Sequence, residues 1–168
     1  MRLKPALDHG EDDDSDYMKI YHGGSAAIMK PEIRASAYNK DFGPGFYCTE
    51  MQQQAERWAR RFHTPVVSVF EYIKDDFINI LEFMEMTDAW LDFIAACRNG
   101  EPYGFDIVSG AMANDQVWNY IADYIAGILT REQFWVLAKF KYPTHQIAFC
   151  SRRSMECLSY LESYEVRS

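Results

Sequence analysis

Nowhere in its 168 residues does the chain carry a CxxC pair or the His/Cys spacing of a zinc site, so no bound metal is expected. The four cysteines, Cys48, Cys97, Cys150 and Cys157, read as buried thiols of a reducing cytosol. Cys97 falls on an apolar helical stripe and Cys150 inside a strand-like run. An apolar run of membrane-spanning length is missing, and so is a secretory leader. The expectation is a cytoplasmic protein with no membrane partner. Positive charge is scarce, with 17 Lys and Arg against 25 Asp and Glu for a net −8 at pH 7. That balance disfavours a protein that works by gripping nucleic-acid phosphates. Much of the acidity sits in DHGEDDDSD (8–16), a run without apolar periodicity. Residues 1–17 are therefore read as a disordered leader, and 18–168 as one domain large enough to bury a core without staples.

What is present alternates between strand and helix signals. MKIYHGG (18–24) reads as a strand running into paired glycines, SAAIMKPEIRASAYNK (25–40) as a loop, and FYCT (46–49) as a short strand. Ala55, Trp58, Ala59 and Phe62 at helical spacing predict an amphipathic helix, followed by the strand PVVSVFEYI (65–73). Met86, Ala89, Trp90, Phe93, Ile94 and Cys97 form an apolar stripe closed by Asn99-Gly100. FDIVSGAMA (105–113) predicts a strand, 115–126 a helix stopped by Gly127, and Thr130 with Gln133 a capping box opening another helix. HQIAFCS (145–151) and CLSYLESYEV (157–166) close the chain as strands. Without a regular βαβ rhythm, the expected class is α+β with a split, mainly antiparallel sheet and flanking helices. Trp58, Trp90, Trp118 and Trp135 all read as core residues.

DFGPGFYCTE (41–50) spends two glycines just before a very short strand. Glycine is costly there unless something approaches the backbone closely. Together with YHGG (21–24) and HQIAF (145–149), this stretch resembles the three signature strands of the ADP-ribosyltransferase superfamily. It is similar in particular to the F-G-K-G-I-Y-F-A pattern of the poly(ADP-ribose) polymerases, and to a small bacterial family grouped with them. The resemblance covers residues 18–166 and implies the split-sheet transferase fold with NAD as co-substrate.

It also implies roles. His22 would hydrogen-bond a ribose hydroxyl, and Gly23 would bring its backbone to the nicotinamide amide, with Gly24 beside it. Tyr47 would stack on the pyridinium ring, where cation–π attraction assists. Gly43 and Gly45 would shape the turn that carries Tyr47 to the cofactor, and Arg34 and Ser36 are candidates to touch the pyrophosphate. Where the superfamily usually has a catalytic glutamate, this chain has Gln146. A neutral amide can bond the ribose but offers no full charge to a developing cation, so polymer elongation is not expected. Pro44 stands where the polymerases usually carry lysine, which removes a cation. A carboxylate could come instead from Asp115, which follows a strand and opens a helix, or from Asp41.

Each assignment has a plainer alternative. His22 could be a satisfied strand-end histidine, Tyr47 a packing residue, Asn114 and Asp115 helix caps, and Gln146 an exposed edge residue. The leading expectation is mono-ADP-ribosyl transfer from NAD to an unknown acceptor, by a toxin restrained by an inhibitory protein partner or by a defence effector. That last step is analogy alone. The alternatives are an NAD glycohydrolase and a catalytically silent module binding NAD, ADP-ribose or a protein. RNA 2′-phosphate transfer on a related fold is disfavoured by the charge.

Overall fold

Two small sheets, joined at one point, carry the chain. The computed structural model describes residues 17–33, 40–113, 115–139 and 143–167. The readings for 1–16, Arg34, Ser36 and Asn114 lie outside the described residues. The first sheet is three-stranded and antiparallel in the order β1-β3-β7, built from β1 (Tyr17–Gly24), β3 (Val66–Ile73) and β7 (Leu158–Glu165). The second runs β2-β6-β5-β4, from β2 (Phe46–Cys48), β6 (Gln146–Phe149), β5 (Ile107–Gly110) and β4 (Ile80–Glu82). Its β4–β5 pair is parallel and the other pairs are antiparallel. The fold is α+β with a split, mainly antiparallel sheet, as the interspersed signals predict. β1 starts at Tyr17, one residue earlier than expected.

Strand alternation sorts the side chains into layers. Ile20, Phe46, Cys48, Phe70, Tyr72, Ile107, Ile147 and Phe149 share one apolar cluster to which both sheets contribute. The alternate residues of the second sheet, Val108 and Ala148, pack with Phe42 and the helices α2 (Asp88–Arg98), α3 (Asp115–Ile125) and α4 (Arg131–Leu137). Helix α1 (Gln52–Ala59) covers the other face of the first sheet through Ala55 and Ala59 against Val67 and Val69. A one-turn α5 (Arg152–Met155) precedes β7.

The local signals act where expected. Gly100 and Gly127 take positive φ (78° and 73°) just beyond α2 and α3. The Thr130–Gln133 capping box opens α4. Trp90 is fully buried, and Trp118 and Trp135 are half-buried. Trp58 departs from the expectation at 42% exposed, as does Phe62 at 41%. Helix α1 meets the sheet through small residues at backbone distance, which leaves no room for an indole on that face. Cys48, Cys97 and Cys157 are buried and Cys150 half-buried, all as free thiols. Among the described residues, no helix is long and apolar enough to cross a membrane, and no cluster of His, Cys, Asp or Glu is arranged to hold a metal.

Candidate functional site

β1 and β2 touch at a single bridge. The Tyr21 N–H donates to Thr49 O (2.8 Å) and the Thr49 N–H to Tyr21 O (2.9 Å). Because Tyr21 spends both backbone groups on β2, it forms a non-hydrogen-bonded pair with Val69 of β3. Gly23 and Val67, two residues on, form another. The Gly23 N–H and C=O therefore face the β2 side, just where β1–β2 pairing ends among the described residues. The two sheets part at this point, and their divergence is the candidate site.

Gly23 itself has a structural cause as well. A β-carbon there would lie 2.2 Å from the Ala55 carbonyl oxygen, so the strand must be bare for α1 to lie on it. The backbone that comes this close to Gly23 is that of α1. Gly24 is buried, and a β-carbon there would meet no backbone closer than 4.0 Å. Gly43 has φ +77° and so needs the left-handed region. At Gly45 a β-carbon would sit 3.0 Å from Phe149 O. Both glycines fit the 42–45 turn against the end of β6, and Gly45 faces protein.

His22 reaches across the divergence. Its Nδ1 lies 2.6 Å from the Tyr47 backbone oxygen, and its ring stacks on Phe46 with centroids 4.5 Å apart. A carbonyl can only accept, so Nδ1 carries the proton, and in the neutral ring Nε2 is an acceptor. Burial pushes the His22 pKa down, opposed by the bond to Tyr47 O and assisted by the Lys40 ammonium. Among the described residues Nε2 has no partner.

The Tyr47 hydroxyl donates to Gly43 O (2.6 Å) and accepts from the Phe42 N–H (3.1 Å). Burial, with Cys150 and Tyr103 nearby, drives the phenol far above its usual range. Tyr47 is thus a rigid neutral ring that locks its own turn, unsuited to act as a base. The Lys40 ammonium stands 4.6 Å from the ring centroid, and burial lowers its pKa. Lys40 thus puts a cation beside Tyr47, where Pro44 offers none.

Gln146 starts β6 opposite Gly110. The register pairs Cys48 with Ile147, so the next residue, Thr49, faces Gln146 while it bridges to Tyr21. His22, Tyr47 and Gln146 accordingly gather within two positions of one row. Tyr47 and Gln146 point to the same face and His22 to the other. Gln146 is no exposed edge residue: it is 7% exposed, and its Nε2 donates to Asp41 Oδ2 (3.0 Å) and, at the limit of a bond, to Ala111 O (3.4 Å).

Asp41 is buried too. It accepts from the Ala113 N–H (2.9 Å) and pairs with Arg98 at 3.2 Å, the two side chains 4% and 6% exposed. Arg98 also stacks 3.3 Å over the Trp118 ring and donates to Trp118 O. Burial raises the Asp41 pKa, and the Ala113 N–H, Arg98 and Gln146 pull it back. Removing one partner of such a buried pair typically costs about 3–5 kcal/mol. Asp115 is the first residue of α3, two residues past Ala113, and its side chain lies outside the described residues.

Sequence reasoning missed Lys40 and Arg98. Lys40 sits in what read as a loop, and Arg98 at the end of a helix 57 residues from Asp41, where no local spacing links them. A separate open trough of about 400 Å³, lined by Pro31, Glu32, Ile33, Arg152, Met155 and Glu156, contains none of the residues singled out above.

Among curated proteins none matches the chain significantly. The family described as protein of unknown function (DUF3990) matches residues 18–160, which takes in β1, the 42–45 turn, β2 and β6 together with Asp41 and Gln146. The chain belongs to the DUF3990 family.

Proposed function

We propose that the protein binds NAD where the two sheets part and transfers its ADP-ribose once to an acceptor nucleophile. The observation that carries this reading is that four groups lie within two positions of one another where the sheets part, His22 on one face and Tyr47 with Gln146 on the other. They are the Gly23 N–H and C=O, the acceptor Nε2 of His22, the rigid Tyr47 ring and the Gln146 amide. A carboxamide offers one donor face and one acceptor, which suits the paired groups of Gly23. His22 Nε2 accepts from a ribose hydroxyl, and Tyr47 provides the platform for the ring. Gln146 accepts from the 2′-hydroxyl of the nicotinamide ribose. In the reaction the glycosidic C–N bond breaks and its electron pair leaves with nicotinamide. The acceptor then forms the new bond at the same carbon from the opposite face and loses its proton. Resemblance to the ADP-ribosyltransferase superfamily in YHGG, FGPGFYCTE and HQIAF supports this choice. With water as acceptor the same site is an NAD glycohydrolase.

A second reading, a catalytically silent binder of NAD or ADP-ribose, is favoured by one specific observation. Gln146 is neutral, and its NH2 group is already committed to Asp41, so charge stabilisation of an oxocarbenium-like sugar is weak.

The test is nicotinamide release from NAD by purified protein, with and without cell lysate, against His22→Ala checked for a retained melting transition. The expected result is release that falls at least tenfold in the variant, with label from NAD appearing on lysate components. Label staying on free ADP-ribose indicates the glycohydrolase. No release, with NAD still raising the Tm, selects the silent binder. No release and no Tm shift overturns the NAD reading altogether.

A further inference from the structure

The Asp41–Gln146 bond forms between two residues that are 5% and 7% exposed. Two acceptors meet the Gln146 amide from one side, Asp41 Oδ2 at 3.0 Å and Ala111 O at 3.4 Å. Neither a carboxylate nor a carbonyl can donate, so the NH2 group must turn toward them and Oε1 away. Among the described residues Oε1 receives no hydrogen bond. A buried amide with a committed donor end and an open acceptor end is a fixed, neutral acceptor.

The same geometry governs which residue can stand at 146. Glutamate there would take a donor away from Asp41 and set two carboxylates about 3 Å apart, where both cannot ionise. Arg98 and the Ala113 N–H already serve Asp41. The Asp41 charge sits one hydrogen bond behind Gln146.

We infer that Asp41 is the positioning residue of this site. It orients Gln146 so that Oε1 alone meets a ligand hydroxyl, and it is the reason an amide occupies the position. The identity of that hydroxyl as a ribose 2′-OH rests on the NAD reading above, whereas the coupling of the two residues does not.

The experiment compares parent, Gln146→Met, Gln146→Glu, Asp41→Asn and the double variant Asp41→Asn/Gln146→Glu, by thermal unfolding and by nicotinamide release. Gln146→Glu is expected to lower the Tm by about 5–10 °C, well beyond Gln146→Met. In the double variant donor and acceptor change places: the amide introduced at position 41 donates to the carboxylate introduced at position 146, and gives up the bond that Asp41 Oδ2 accepts from the Ala113 N–H. Its Tm should therefore lie at least ~3 °C above the sum of the two single losses. Its kcat for nicotinamide release should rise about tenfold over the parent with KM within about twofold, a split that repacking alone does not produce. Equal losses for Gln146→Glu and Gln146→Met overturn the inference even if Asp41→Asn does not fold, and so do additive losses in the double variant. Non-additive stability with no nicotinamide release and no Tm shift by NAD in any protein keeps the coupling and discards the NAD reading.

Discussion

Lys40 shows how much of a site's electrostatics one side chain can set. Its ammonium lies over the Tyr47 ring and acts on His22 across the divergence. Two like effects, burial and this cation, hold His22 neutral, while its bond to Tyr47 O works against them. Replacing Lys40 by Met removes the repulsion and leaves the rest. The His22 titration midpoint, followed by NMR of the ring nitrogens, is expected to rise while staying below the ordinary 6.5. A midpoint that does not move would place the ammonium too far away to matter. His22 and Tyr47 were legible from YHGG and FGPGFYCTE because the motif is local. The environment of each was not, because Lys40, Phe46 and the 42–43 turn act through space.

Among the elements, α1 is the one whose docking is most exacting. Ala55 O would be 2.2 Å from a β-carbon on Gly23, and the Gln54 side chain clamps β6 by donating to His145 O (2.6 Å) and accepting from the His145 N–H (3.0 Å). Gly23→Ala is expected to cost about 1–3 kcal/mol by overpacking, a fall in Tm of about 3–10 °C. Gln54→Ala should lose about 2 kcal/mol, because a backbone N–H and C=O are left without partners. Thermal unfolding checks both. If Gly23→Ala melts with the parent, α1 stands farther from β1 than described. Long periodic elements were read correctly from the sequence: β1, β3, α2, α3 and β7 fall where alternation or 3.6-residue spacing put them. β4 and α5 were missed, since three residues and one turn carry too little period to register. The inward assignment of Trp58 failed for a physical reason. Helical spacing identifies a face, but how close that face must come to the sheet is decided by Gly23, on another element.

At the scale of the whole molecule, acid sensitivity follows from groups spread over both sheets. His22 and His145 are both pushed below 6.5, chiefly by burial. The unfolded chain therefore binds these protons more readily than the folded one, and their unfavourable contribution grows as pH falls below about 6.5. Asp106 acts in a lower range. It accepts from Arg153, Ser151 Oγ (2.6 Å) and the Asn79 N–H (2.9 Å), tying the approach to β4, the start of β5 and α5 together. Its pKa is lowered to about 2 from 3.8, so the stability it adds is present above 3.8 and lost as pH falls from there toward 2. The Tm is expected to be level above pH 7, to decline below about 6.5 and to fall again below 4. Asp106→Asn should remove the second decline and lower the neutral-pH Tm by about 4–8 °C. A variant that keeps the full acid limb would assign that limb to other carboxylates. The two-sheet layout was legible from the alternation of signals, but the Asp41–Arg98 pair was not, because residues 57 apart share no periodicity.

The hydrogen bond from Gln146 to Asp41 also has a meaning across related sequences. Two positions 105 residues apart that share one donor and one acceptor cannot drift independently. A relative carrying an acid at the first position of β6 is expected to have exchanged the acid of the preceding turn for a donor, and intermediates with both acids should be rare. Aligned family members sorted on position 146 would then separate into two groups at position 41 as well. The pair would be inherited as a unit, with one negative charge passed from one side of the bond to the other.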